Sequence, residues 1–317
     1  MRNVYLAIVI FIVEIMLQEF WIRLQQTGII KIFQKQKSYG PAIVEKKAST
    51  PSMGGIVFIV ISASLCVTRS ADYKIWLFAI ACGFIGLIDD GIKSFQGSSE
   101  GFSSLRKITL QVFLSLIYAF LICREYDIYL WRNVISPVWV SFPLIVFLSV
   151  GLQNAVNVTD GLDGLATGGV AISLIATAIY MGELNFDFAI AIGMVIGFLW
   201  HNSHPAHVFM GDAGSHFLAG LLFALILFNG SILLIVPFTF LFGIEIISVA
   251  IQIFSIRIFG RRIFRMAPLH HHFQRLNREV DYIVPSSDLE ETIIVNRFYI
   301  VHIFGMALLY VILWRVL

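Results

Sequence analysis

Apolar runs of about 20 residues recur from one end of the chain to the other, and they constrain the fold more than any other feature. A helix of about 20 residues is long enough to cross the hydrocarbon layer of a bilayer. Of the 317 residues, 58% are hydrophobic and 13% are charged, which leaves too few polar side chains to cover a water-soluble protein of this size. We therefore predict an all-α, polytopic integral membrane protein that forms one transmembrane domain over residues 1–317.

The apolar runs predict ten spanning helices. We place these near residues 4–24, 53–70, 74–92, 107–123, 138–156, 165–181, 186–203, 214–229, 231–256 and 298–316. The first run has no small-residue cleavage site after it, so we interpret it as a retained helix rather than a signal peptide.

The positions of Lys and Arg predict the orientation in the membrane. The connections that follow the odd-numbered spans, with the adjoining helix ends, hold 16 of the 22 Lys and Arg residues, and the other side holds 6. Because the more basic side faces the cytoplasm, both termini are expected outside. The net charge of +2 gives no argument for a nucleic-acid partner. Cys66, Cys82 and Cys123 lack CxxC or Cys/His spacing and are interpreted as packing residues.

Three acidic segments fall on the predicted cytoplasmic side. Asp89 and Asp90 end a very apolar helix, where two adjacent carboxylates repel each other and a cation would relieve both. The second segment spaces its polar residues three apart, so that one helical turn would place them on one face; they are Asn157, Asp160 and Asp163. In the third, Asp212 stands between Gly211 and Gly214 just before a span.

The chemistry of these segments predicts a hard metal ion. Carboxylate and amide oxygens without nearby thiolates favour Mg²⁺, with Mn²⁺ as an alternative, and not every aspartate need touch the metal. An EF-hand calcium loop is disfavoured because its alternating acidic spacing is missing. The plain alternative for the aspartate pair is a helix end that reaches interfacial water.

A basic segment carries three arginines, Arg261, Arg262 and Arg265, followed by His270, His271 and His272. Consecutive histidines do not converge easily on one zinc ion, and together with the arginines they better suit diphosphate oxygens. An ordinary basic cytoplasmic loop would also explain the arginines.

Three further side chains are ambiguous when taken alone. Lys47 and Lys107 lie at membrane entry points, where a lysine commonly extends its ammonium group to the interface. Phe209 could stack on a base or simply pack.

Five stretches between Lys46 and Phe273 together carry a family resemblance: KKASTPSMGG, IDDGIK, NAVNVTDGLDGLA, PAHVFMGDAGS and IFRMAPLHHHF. In this order the chain resembles the phospho-N-acetylmuramoyl-pentapeptide-transferase family, within the broader polyprenyl-phosphate N-acetylhexosamine-1-phosphate transferases. The APLHHHF stretch is characteristic of the muramoyl-pentapeptide branch. The resemblance implies a multi-pass protein of the bacterial inner membrane in which undecaprenyl phosphate attacks UDP-N-acetylmuramoyl-pentapeptide and releases UMP.

The resemblance also implies roles for residues at matching motif positions. Asp89 and Asp90 are the reactive pair, and Asp212 is the expected magnesium ligand together with Asp90. The nucleotide region is lined by Asn157, Asp160, Asp163, Asn202 and Phe209. Other functional positions of the family are matched by Lys47, Ser52, Lys107, Gln252, His270, His271 and His272.

Two reaction routes stay open. In direct in-line attack, Asp90 or Asp89 accepts or orients the proton of the acceptor phosphate while magnesium offsets charge on the diphosphate. In a double displacement, an aspartyl-phosphate forms first. We also leave open whether the chain works as a monomer or a homodimer.

Some positions depart from the family pattern. Ser52 and Ala213 stand where threonine is common, and residues 274–297 replace a short link that contains Trp-Pro. This connection adjoins the histidines, where the sugar-peptide part of the donor needs room. The alternative enzyme is a UDP-N-acetylhexosamine transferase that starts another surface polymer, and the histidine run argues against it. An ion-coupled transporter would need charges near mid-span, where Glu14 and Glu245 are the main acids.

Overall fold

The computed structural model describes residues 1–30, 50–67, 72–96, 101–131, 134–274 and 280–316. Helices dominate this part of the chain. They are α1 Arg2–Gln26, α2 Gly55–Val67, α3 Tyr73–Gln96, α4 Ser104–Glu125, α5 Val138–Thr159, α6 Leu165–Met181, α7 Phe186–Asn202, α8 Gly211–Asn229, α9 Ile235–Phe238, α10 Phe240–Phe259, α11 Leu269–His272 and α12 Glu291–Val316.

The predicted all-α, polytopic character is confirmed at the level of helix length and composition. Within the described residues, seven helices are long and apolar enough to cross a membrane, namely α1, α3, α4, α5, α8, α10 and α12. The shorter apolar helices α2, α6 and α7 cover three further predicted spans. Many apolar side chains of α1 and α12 are exposed, as expected where lipid rather than water is the solvent.

The prediction of one continuous helix over 231–256 is wrong. A 3-10 turn, Ile232–Leu234, is followed by the short helix α9, and Thr239 separates α9 from α10. Pro237 lies in α9, and its ring removes a backbone N–H donor, which disfavours an unbroken helix through this point.

Two short strands also depart from the all-α expectation. β1, Tyr129–Trp131, pairs antiparallel with β2, Val134–Ile135, in the connection between α4 and α5. Apolar and aromatic side chains such as those of Tyr129 and Val134 suit strands, which is why a short hairpin forms between two membrane helices.

Helix α8 is the centre of the bundle, and its large side chains Phe217 and Phe223 are fully buried. Close packing around it depends on glycine. A Cβ added at Gly55 would overlap the backbone of Gly214, and one at Gly86 would overlap the backbone at Asp212. The absence of side chains at these points lets α2 and α3 approach α8 at backbone distance.

Several helix ends meet on one face of the bundle. Backbone hydrogen bonds join Gly54 N to Phe209 O at 2.9 Å and Phe209 N to Pro51 O at 2.9 Å, linking the segment before α2 to the segment before α8. Asn157 near the end of α5 contacts Asp212 at the start of α8. The polar segments therefore gather where these helices end.

Candidate active site

Three carboxylates come together at the interface of α3 and α8. Asp89 and Asp90 lie toward the end of α3, and Asp212 lies in the first turn of α8. One oxygen from each carboxylate lies within 4.8 Å of the others. Asp89 is 2% exposed and Asp90 is 6% exposed, so their charge must be balanced within the protein or by a ligand.

Two lysines supply that balance. Lys93 Nζ lies 2.7 Å from Asp89 Oδ2, 2.7 Å from Asp212 Oδ2 and 3.7 Å from Asp90 Oδ1. Lys107 Nζ, from α4, lies 2.6 Å from Asp212 Oδ2 and 3.6 Å from Asp89 Oδ2. The cluster thus contains three carboxylates and two ammonium groups. The ammonium groups can bind phosphate oxygens, and the carboxylates can bind a metal ion.

The carboxylates are also held by backbone donors. Ala213 N donates to Asp90 Oδ2 at 3.0 Å, and Phe102 N donates to Asp89 Oδ1 at 2.5 Å. Because the bond from residue 213 is made by its backbone, alanine preserves this contact where the family commonly has threonine. Gly211 has φ +72, and an added Cβ would lie 2.6 Å from Asp90 Oδ2, so glycine is required there by both conformation and space.

A polar network behind Asp212 fixes its orientation. Asn157 Nδ2 donates to Asp212 Oδ1 at 2.7 Å and to Ser215 Oγ at 2.9 Å. His216 Nδ1 lies 2.8 Å from Asp212 O, and its Nε2 lies 3.0 Å from Gln111 Nε2. Since the Gln111 amide can only donate through that nitrogen, we infer that His216 carries its proton on Nδ1 and donates it to Asp212 O.

The expectation that Asn157, Asp160 and Asp163 stack on one helical face is wrong. Helix α5 ends at Thr159, and residues 160–164 form a turn in which Gly164 has φ +78. Asp160, the C-cap of α5, has ψ 52, which lies outside the helical range, so the helical stacking ends before Asp163. Asn157 consequently points to Asp212, while Asp163 points elsewhere.

Asp163 joins a second polar cluster. Its Oδ2 lies 3.0 Å from His204 Nδ1 and accepts from Ala206 N at 3.1 Å. Its backbone N donates to Glu291 Oε1 at 2.7 Å, and His204 Nδ1 lies 3.7 Å from Glu291 Oε2. This cluster ties the 160–164 turn to the start of α12.

The three consecutive histidines have different partners. His270 is buried beside Glu245, His271 Nδ1 lies 2.5 Å from Gln274 Oε1, and His272 Nδ1 accepts from Arg265 N at 3.0 Å. Burial lowers the pKa of the His272 imidazole, and the nearby Arg265 charge acts in the same direction. Both this lowered pKa and the bond that Nδ1 accepts from Arg265 N favour a neutral His272 ring that positions the loop.

Arg265 is occupied by the chain that follows the histidines. Its guanidinium donates to Asp288, to Gln274 O at 3.1 Å and to the Tyr282 hydroxyl at 3.1 Å. Residues 280–290 thereby pack against the histidine segment, and this unusual connection forms part of the wall beside it.

The remaining predicted site residues mainly hold loops in the described structure. Gln252 accepts from Ile263 N and Phe264 N, at 3.0 and 2.9 Å. Asn202 donates to Val208 O at 2.9 Å, which shapes the loop that leads to Phe209 and Asp212. The backbone of Ser52 is held by Gln25 and Trp21. Lys47 lies outside the described residues.

Sequence reasoning overlooked Lys93, Gln111, Ser215 and His216. Lys93 follows Asp90 by three residues and Asp89 by four, so on a helix all three share one face. His216 follows Asp212 by four residues, so these two residues also share one face of a helix. Helical spacing from the known aspartates would have found both residues.

The assembled cluster has the composition of a phosphate-handling centre. Its oxygen-only carboxylate set suits Mg²⁺, which takes one or two carboxylates and keeps water or phosphate oxygens as its other ligands. The two lysines suit the oxygens of a diphosphate. A buried site of this composition can hold phosphate groups beside a metal ion.

Comparison with known proteins first shows the class of enzyme. Residues 73–230, from α3 to α8, match the model of the family described as Glycosyl transferase family 4. This match contains all three clustered aspartates. Over the whole chain, a phospho-N-acetylmuramoyl-pentapeptide-transferase of Dictyoglomus turgidum is 35% identical and covers 98% of each protein. A protein of that name from Rubrobacter xylanophilus is 38% identical over 85% of this chain and 88% of its own length. Another, from Bacillus subtilis, is 34% identical over 77% of this chain and 81% of its own length. The chain belongs to the phospho-N-acetylmuramoyl-pentapeptide-transferase family.

Proposed function

We propose that this protein transfers phospho-N-acetylmuramoyl-pentapeptide from its UDP-linked donor to undecaprenyl phosphate, releasing UMP and forming lipid I, the first lipid-linked precursor of peptidoglycan. Family membership over 98% of the chain supports the reaction. The proposed location of the active site rests on one observation, the buried cluster of Asp89, Asp90 and Asp212 with Lys93 and Lys107.

The chemistry proposed is in-line attack by an oxygen of the acceptor phosphate on the β-phosphorus of the donor. A new phosphorus–oxygen bond forms there, the bond to the oxygen bridging the α- and β-phosphates breaks, and UMP leaves with that oxygen. Asp90, assisted by Asp89, accepts or orients the proton of the acceptor phosphate. Lys93 and Lys107 move from the carboxylates toward the diphosphate oxygens as substrate binds.

Magnesium is the proposed cofactor, with Mn²⁺ as a substitute. Asp212 and Asp90 would hold it, and Asn157 would keep Asp212 oriented through its bond to Oδ1. Bound there, the ion would supply positive charge against the diphosphate as negative charge builds on the departing UMP.

The proposed acceptor tail lies along the membrane-facing groove between α4 and α5. This groove has a volume of about 490 Å³ and is lined almost entirely by apolar side chains, among them Val112, Phe142 and Phe147. Ile108 and Asn154 line it too. Ile108 follows Lys107, and Asn154 is one helical turn from Asn157, so the groove begins beside the carboxylate cluster.

The proposed topology is ten spans with both termini outside and the cluster on the cytoplasmic side of the bacterial inner membrane. The excess of Lys and Arg near this face supports it. A water-soluble nucleotide would then arrive from the cytoplasm while the acceptor tail stays in the bilayer. Glu245, the acid that would best serve a transporter, is instead engaged with His270.

The experiment that tests this function is UMP release by purified protein in detergent with a short-chain polyprenyl phosphate, Mg²⁺ and the UDP-N-acetylmuramoyl-pentapeptide donor. We expect release only when donor, acceptor and metal are all present, because attack by the acceptor is what expels UMP. No release from the complete mixture contradicts the function. Stoichiometric release without acceptor would instead establish the two-step aspartyl-phosphate route.

A further inference from the structure

A chain of hydrogen bonds runs from the wall of the groove between α4 and α5 to the first turn of α8. Asn154, a polar side chain in the groove wall, donates from Nδ2 to Gln111 Oε1 at 2.8 Å. Gln111 Nε2 lies 3.0 Å from His216 Nε2, and His216 Nδ1 lies 2.8 Å from Asp212 O. Gln111 and His216 are fully buried, so water does not compete for these bonds.

Backbone carbonyl groups at both ends give this chain of bonds one direction. Val150 O accepts from Asn154 Nδ2 at 2.8 Å, and a carbonyl oxygen at that position excludes the reversed amide. Gln111 must then present Oε1 to Asn154 and donate from Nε2 to the His216 ring. At the other end Asp212 O can only accept, so the ring carries its proton on Nδ1. Every donor therefore points toward Asp212, an arrangement in which successive hydrogen bonds strengthen one another.

The groove end of this chain of bonds has no donor left for a ligand. Both N–H groups of the Asn154 amide are used, one by Gln111 Oε1 and one by Val150 O. A phosphate oxygen needs a donor and would be repelled by the remaining amide oxygen. Asn154 therefore anchors Gln111 and does not bind the acceptor phosphate.

Helix α4 contacts the first turns of α8 at two successive levels. Lys107 Nζ lies 2.6 Å from Asp212 Oδ2, and one helical turn further along both helices Gln111 contacts His216. The first contact joins opposite charges and opens when Lys107 moves to the diphosphate in the proposed reaction. The second joins neutral groups, which a phosphate does not draw away. It can keep α4 and α8 in register while the first contact is open.

We propose that Gln111 is a positioning residue that keeps the Asp212 carboxylate in its metal-binding position through His216. The inference rests on the proposed function, in which Asp212 holds magnesium and Lys107 leaves it for the donor. Gln111 itself touches neither substrate nor metal. Because its anchor Asn154 belongs to the groove wall, the metal site and the acceptor groove keep a fixed relation to each other.

The test replaces Gln111 with methionine, which is similar in length but cannot donate to His216. Mn²⁺ binding is measured by electron paramagnetic resonance without donor or acceptor. Loss of a group that orients a metal ligand lowers metal affinity about 10- to 100-fold, so we expect the dissociation constant for Mn²⁺ to rise about tenfold or more. Folded Gln111→Met with an unchanged Mn²⁺ affinity would overturn the proposal.

Ser115→Ala is the matched control for the packing of α4. Ser115 is also fully buried on α4, one helical turn beyond Gln111, and its hydroxyl bonds Ser149 of α5 at 2.7 Å. This variant breaks a contact between α4 and α5 without touching the connection to α8, so its Mn²⁺ affinity should not change. Equal losses of affinity in Ser115→Ala and Gln111→Met would assign the effect to general packing and overturn the proposal.

A double variant tests whether Gln111 acts through His216. His216→Phe removes the ring nitrogens and should weaken Mn²⁺ binding by a factor similar to that of Gln111→Met. If the two residues form one connection, the variant with both substitutions binds Mn²⁺ no more weakly than the weaker single variant. Losses that multiply would show that Gln111 acts independently of His216 and would contradict the proposal.

The His216 ring gives a readout in the unsubstituted protein. In protein labelled with ¹⁵N-histidine, its signals are identified by their loss in His216→Phe, and we expect a single neutral tautomer protonated on Nδ1. A ring protonated on Nε2 could not accept from Gln111. If Gln111→Met does not fold, the single Nδ1-protonated form supports the proposal and any other form overturns it.

These measurements also separate the role of Gln111 from the proposed function. Mn²⁺ binding requires neither donor nor acceptor. If the unsubstituted protein releases no UMP, the proposed function fails, yet the Mn²⁺ affinities still decide the role of Gln111. If the unsubstituted protein binds no Mn²⁺, the proposal is overturned, because Asp212 then holds no metal.

Discussion

Replacing Asp90 with asparagine is expected to abolish measurable UMP release while leaving the protein folded. Asparagine is nearly the same size, and its amide oxygen can still accept the bond that Ala213 N makes to Asp90 Oδ2. The amide, however, cannot take a proton from the acceptor phosphate. Loss of a general base lowers turnover by roughly 10²- to 10⁴-fold, and this variant also removes a proposed metal ligand.

The measurement is the initial rate of UMP release, together with the unfolding temperature in detergent. Asp127→Asn is the matched control, because Asp127 is exposed in the connection between α4 and β1 and takes no part in the cluster. This control should keep full activity. Turnover retained within a few-fold by folded Asp90→Asn would remove Asp90 from the catalytic role.

For Asp212→Asn we expect a raised magnesium requirement. Asp212 Oδ2 accepts from Lys93 and Lys107, and Oδ1 accepts from Asn157, so its carboxylate is fixed in place by three donors. Substituting even a residue that only supports a metal ligand costs about 10- to 100-fold in metal affinity. Substitution of a metal ligand itself should lower the metal affinity at least as much, so the half-saturating Mg²⁺ concentration should rise by tenfold or more.

Titration of UMP release with Mg²⁺ measures this, and Mn²⁺ binding followed by electron paramagnetic resonance provides a readout independent of turnover. Asp127→Asn serves again as the control, with a titration curve like that of the unsubstituted protein. If Asp212→Asn binds Mn²⁺ with unchanged affinity and gives a superimposable Mg²⁺ curve, Asp212 is not a ligand.

Much of the fold follows from sequence because the bilayer imposes one strong rule on the chain. Every backbone polar group inside hydrocarbon must be paired, so a long apolar run becomes a helix. The run at 165–181 accordingly corresponds to α6, Leu165–Met181. The break at Thr239 is the exception, and the sequence does mark it with Pro237.

The site was less accessible to sequence reasoning. The residue types of Asp89, Asp90 and Asp212 predicted the chemistry, and helical spacing would have added Lys93. The contact between Asp163 and Glu291 joins residues 128 positions apart, and that between Glu245 and His270 joins residues 25 apart. Such pairs depend on how helices pack, which no local pattern records.

The most direct test of the account is a competition between two donors. Purified protein receives equal concentrations of UDP-N-acetylmuramoyl-pentapeptide and UDP-N-acetylglucosamine with one polyprenyl phosphate and Mg²⁺, and mass spectrometry identifies the lipid product. We predict that the polyprenyl diphosphate carries N-acetylmuramoyl-pentapeptide. A product that carries N-acetylglucosamine alone would contradict the proposed donor while keeping the transferase chemistry, and no lipid product from either donor would contradict the account as a whole.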